Sequence, residues 1–141
     1  MTAADSIADW IVSQLSAAQS LSGTPVIRQT DETFDRAQSV VVVDVQDMGD
    51  HDGIPGHVLV DAKAAVGVWV HTTDDPALAQ TSELRAAVRA VLDALPQGDA
   101  EPIGDWYVRY VSGWAESAAT LEGNDRKVEF SANLILQSTS I

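Results

Sequence analysis

Asp44, Asp47, Asp50, His51 and Asp52 crowd five side chains with oxygen or nitrogen donors into one short stretch, and a divalent cation is the first chemistry to test there. A calcium loop of the helix-loop-helix type needs D-x-D-x-D-G with a carboxylate at its twelfth position. Setting Gly53 as the loop glycine places Met48 at the first ligand position and Leu59 at the twelfth, so the pattern fails at both ends. The stretch Asp47 to Gly56 reads instead as a solvated acidic loop, rich in turn formers, that faces a partner or a lumen. His51, His57 and His71 are the only histidines, and none stands in an H-E-x-x-H or comparable metal-binding spacing. No G-x-S-x-G, Walker loop or G-x-G-x-x-G occurs. Acid pairs of the glycosidase kind need only closeness in space, and with 21 Asp and Glu residues some pair always looks plausible. No catalytic residue, metal site or cofactor is implied, and these residues support no named activity.

The aromatic residues carry a stronger signal. Trp69 and His71 stand on one face of an alternating segment, and Trp106, Tyr107, Tyr110 and Trp114 gather in another. Aromatic side chains are enriched where one protein meets another. These six residues are the candidate oligomer or partner interface, with core packing as the equal alternative.

The elements that must position them follow from periodicity. Ile7, Trp10, Ile11 and Leu15 form one helical stripe ending near Ala18, capped by Thr2 with Asp5 or by Ser6 with Asp9, and stopped near Gly23. Thr24–Arg28 is a minor strand with Pro25 near its start. Thr30–Gln38 is a surface connection pinned by Phe34. The valines of Ser39–Gln46 predict a strand covered on both faces at its start. From His57 to Thr73 the pattern alternates, with Val66, Val68 and Val70 on one face and Ala65, Trp69 and His71 on the other. Asp75 then caps a helix that opens on Pro76 and runs to Leu95. Its stripe of Leu84, Val88, Val91, Leu92 and Leu95 is expected to lie on the valine face. A closing hairpin follows: Trp106 to Ala115, with Trp106, Val108, Tyr110 and Trp114 on one side, a turn at Gly123–Asp125, and a regular strand through Val128, Phe130, Ala132, Leu134 and Leu136. The fold class is α+β: a mostly antiparallel twisted sheet of about four to five strands with two helices packed on one face.

Bulk composition fits one domain over residues 1–141. The chain is long enough to bury roughly two-thirds of its unfolded surface without a staple, and 45% of it is apolar. It has no cysteine, hence no disulfide and no thiolate chemistry, which fits a reducing cytoplasm. The first residues have neither the basic nor the apolar part of a signal peptide, and no run approaches the ~18 apolar residues of a membrane span. With 21 acidic against 8 basic residues the net charge is −13, which repels nucleic-acid phosphates.

The first-helix stripe, the Val40–Val45 strand, the strand Val66–Thr72 running into Asp74-Asp75-Pro76 and a helix, and the closing aromatic hairpin together resemble the tail-terminator, or tail-completion, proteins of long-tailed bacteriophages. The resemblance spans Ile7 to Ser138 and lies in element order and length. It implies a structural virion protein of the tail or neck, made in the host bacterial cytoplasm. Such a protomer assembles with itself as a ring, a hexamer in that family, on the end of the tail tube. It stops tube growth and offers the surface that joins the head, so its partners are the tail tube protein and the head–tail connector or neck proteins. DNA then passes through an acidic lumen without specific binding, and no membrane is involved. The alternatives are another neck protein, or a small acidic ligand- or metal-binding domain.

Overall fold

The computed structural model describes residues 2–29, 39–50, 58–71, 79–95, 102–122 and 125–139. The Phe34 connection, His51, Asp52, His57, the Asp75-Pro76 helix start and the tip at 123–124 lie outside them.

Helix α1 spans Ala3–Ala17. Of the two candidate caps the chain uses Thr2 with Asp5: the Asp5 amide donates to Thr2 Oγ1 at 3.1 Å, and the Thr2 amide donates back to Asp5 Oδ2 at 3.4 Å. Two amides that a helix start would leave unpaired are thereby satisfied. A short 3₁₀ turn at Gln19–Leu21 and Gly23, at φ 85°, end the element. The chain then enters β1 (Val26–Arg28), from which Arg28 reaches back to Asp5 at 2.7 Å and Asp9 at 3.3 Å. Hydrogen bonds from Arg28 and Thr2 hold the Asp5 carboxyl below its ordinary range.

The sheet follows as β2 (Val40–Asp50), β3 (Leu59–His71), β4 (Trp106–Val111), β5 (Ala115–Glu116), β6 (Thr120–Glu122) and β7 (Asp125–Ser138), with α2 (Ala79–Asp93) between β3 and β4. The spatial order is β1-β2-β3-β7-β4, and β5 and β6 also pair with β7. Among the described residues only β1 against β2 is parallel. The α+β expectation holds, with both helices on one face of a mostly antiparallel sheet. Among the described residues seven strands replace the expected four to five. The reason is local: the partner of β7 is one extended segment interrupted at Ser112–Trp114 and again at Ser117–Ala119, so it counts as β4, β5 and β6.

Alternation along each strand sorts the two faces. Val41, Val43 and Val45 of β2, Ala62 to Val70 in steps of two on β3, and Val128, Phe130, Ala132, Leu134 and Leu136 of β7 meet Ile7, Ile11 and Leu15 of α1 and Leu84, Val88 and Leu92 of α2. This is the main core, and the valine floor expected for α2 is part of it. Val40 and Val42 are buried on the opposite face with Trp69, as the strand start required.

Two boundaries differ from expectation. Strand β2 runs through Asp50, so Asp47 and Asp50 belong to a strand rather than to a loop; a bulge between Asp47 and Gly49, with Gly49 at φ 106°, carries the pairing past the turn formers. In β4 the register shifts between Val108 and Tyr110, so the alternation reverses there. Val108 lies opposite Leu136, Tyr110 opposite Ile135 and Val111 opposite Leu134. Tyr110 therefore leaves the side it was expected to share with Trp106, and Val111 takes its place.

Phe130 is the largest side chain with no exposure, and it lies opposite Val66 and under α2. Phe130→Ala is expected to destabilise the fold by about 3–5 kcal/mol in urea unfolding, the range for emptying an aromatic core site.

Candidate interaction surfaces

The six candidate interface residues divide among three places. Trp106 and Trp114 go to the main core, Trp114 buried and Trp106 partly so. Trp69 lies on the face opposite α1 and α2 yet is only 8% exposed. It packs with Val40 and Val42, and Lys127, its cross-strand neighbour, holds its ammonium 4.9 Å from the ring centre. Gly67, two residues earlier on the same face, makes room for the indole: a Cβ there would stand 3.3 Å from Trp69 Nε1. His71 is half-buried at the end of β3, opposite Asp125.

Tyr107 and Tyr110 occupy the face of β4 opposite α1 and α2. The Arg109 guanidinium lies 5.3 Å from the Tyr107 ring centre and donates from Nε to Gln137 Oε1 at 2.6 Å. Tyr110 is 50% exposed, the most accessible of the six. It forms one wall of a groove of about 350 Å³ with Met48, Asp61, Asn133 and Ile135. Met48, 60% exposed at the bulge of β2, forms another part of the wall. Exposed apolar side chains around a concavity mark contact surfaces more often than scattered ones do.

Asp47 and Asp50 are exposed at the far end of β2. Among the described residues no group of three or more His, Asp or Glu side chains comes together as a metal cage. No described helix is long and apolar enough to cross a membrane.

One cluster escaped the reading of the sequence. Arg85 and Arg89 stand one turn apart on α2, and Arg85 forms an ion pair with Glu116 of β5. Arg89 donates to the Trp114 carbonyl at 2.7 Å and lies 5.5 Å from the Phe130 ring centre. These bonds tie α2 to the interrupted edge segment. The i, i+4 arginine spacing was visible in the sequence, but the distant Glu116 that gives it meaning was not.

Trp69 and Tyr110 make the division testable. Trp69→Ala is expected to lower stability by about 3–5 kcal/mol, whereas Tyr110→Ala should stay within about 0.5 kcal/mol of the parent. Thermal and urea unfolding of the two variants separate a residue that holds the protomer from one that is free to meet another molecule.

No family model matches the chain, and no curated protein does. Solved structures do. One, which carries no functional name, is 20% identical with a TM-score of 0.59 and is matched over 94% of this chain and 89% of its own. Another is a chain of the virion of a native gene transfer agent particle, 20% identical with a TM-score of 0.54, covering 96% of both chains. At this identity the likeness establishes a shared fold, end to end.

Proposed function

We propose that this chain is a non-enzymatic structural protein of a phage-like virion, and that it caps the tail tube as a ring, ends tube polymerisation and provides the surface to which the head joins. The observation that carries this reading is the end-to-end likeness in fold to a chain of a gene transfer agent particle. A match over 96% of both chains means that the whole domain is shared and not a common sub-motif. Element order and length carry the tail-terminator resemblance to the finer assignment.

The charge gives the ring a physical role. Copies at −13 each, arranged around an axis, generate a negative lumen in which DNA phosphates find few cations to displace. DNA then slides without binding. The exposed groove walls at Met48 and Tyr110 supply apolar area for contacts between proteins, while Trp69 and Trp114 are committed to the protomer.

Light scattering coupled to size exclusion, with negative-stain images of the peak, tests the reading. Closed rings whose population rises with protein concentration are expected, with no gain in thermal stability from divalent cations or small ligands. A chain that remains a monomer at high concentration and is stabilised by such a ligand would instead favour a binding domain.

A further inference from the structure

We propose that the outer edge of β2, from Val45 to Asp50, takes an added β-strand from a partner protein whose extended segment is rich in Lys and Arg.

Among the described residues the edge is open beyond Val43. Strand β1 covers β2 only at Val41–Val43: the Val41 amide donates to the Pro25 carbonyl at 2.9 Å, and the Gln29 amide donates to the Val43 carbonyl at 2.8 Å. Hydrogen-bonding direction alternates along a strand, so Val45 and Asp47 point their backbone groups the same way as Val41 and Val43, away from β3. Nothing among the described residues pairs with them on that side. The strand nevertheless continues in ladder with β3 to Asp50, and every residue from Gln46 to Asp50 is exposed. An unpaired row of amides and carbonyls is the template used in strand addition.

The side chains on this edge select the occupant. Asp44, Asp47 and Asp50 recur along it, and among the described residues no Lys or Arg pairs with any of them; Asp44 accepts only from Gln46 Nε2, at 3.2 Å. Two copies of this edge would bring like charges face to face, and the bulge at Met48 twists it further from self-pairing. A second copy is therefore the wrong partner, and a basic strand the right one. Met48 offers apolar surface for the aliphatic stems of its lysines. This surface does not depend on the ring reading, because it needs only the folded protomer.

The test uses three labelled peptides on the full chain: alternating Lys-Val, alternating Glu-Val, and Lys-Pro of the same charge as the first but unable to complete a ladder. Fluorescence anisotropy is expected to show binding of Lys-Val alone, weakening as salt rises, with slower hydrogen exchange at the Val45 and Asp47 amides. The variant D47K/D50K should weaken that binding by about tenfold or more while its circular dichroism and Tm stay unchanged. Should that variant unfold, D47N/D50N carries the same comparison. Equal binding of Lys-Pro, no binding of Lys-Val, or unchanged exchange at Val45 and Asp47 would overturn the proposal. So would an assembly whose mass falls in a folded D47K/D50K chain, because a second copy would then occupy the edge.

Discussion

The antiparallel ladder between β3 and β7 is the constraint on which the rest of the molecule depends. It runs without a break from Leu59 opposite Gln137 to His71 opposite Asp125. Because side chains alternate, that single register decides what lies on each face. It stacks Val66 on Phe130 and Val68 on Val128 beneath the helices, and Trp69 on Lys127 on the other side. A slip by one residue would exchange the two sets and expose the core. Strand β2 then docks on the free side of β3 and the β4–β6 segment on the free side of β7. The helices cover the one face left continuously apolar.

Much of this was legible because it rests on local period. The stripe of Ile7, Ile11 and Leu15, the valines of β3 and the alternation through β7 each mark an element by themselves, and all three lie where their periods placed them. What local period does not carry is an insertion in a ladder. A bulge changes facing without changing residue type, so Arg109 hid the reversal that parts Tyr110 from Trp106, and Met48 hid the continuation of β2 to Asp50. Burial on the face opposite α1 and α2 was hidden for a different reason. Trp69 is covered by Val40 and Val42 from another strand and by Lys127 from a third, contacts that exist only after the sheet forms. The same holds for Arg85 with Glu116, which lie far apart in the chain.

For function, the consequence is a division of labour between aromatic residues of similar appearance. Trp106, Trp114 and Trp69 are spent within the protomer, and Tyr107 and Tyr110 remain on the face without described helices. Exposed apolar side chains and acidic groups meet at the end of the sheet that carries Met48, Tyr110, Asp47 and Asp50. Shape and charge at that end suit protein–protein contact, and the overall charge suits a wall past which a polyanion moves. In the proposed ring these are complementary requirements: sticky toward protein, repellent toward DNA.

The central claim is that the chain ends the growth of a tail tube, and tube length measures it most directly. Tail tube protein from the same particle, polymerised with and without this chain, would be imaged in negative stain and the tube lengths compared. The account predicts tubes that stop early and carry a ring of this chain at one end. Tubes that lengthen equally in both mixtures, with no density added at either end, would contradict it.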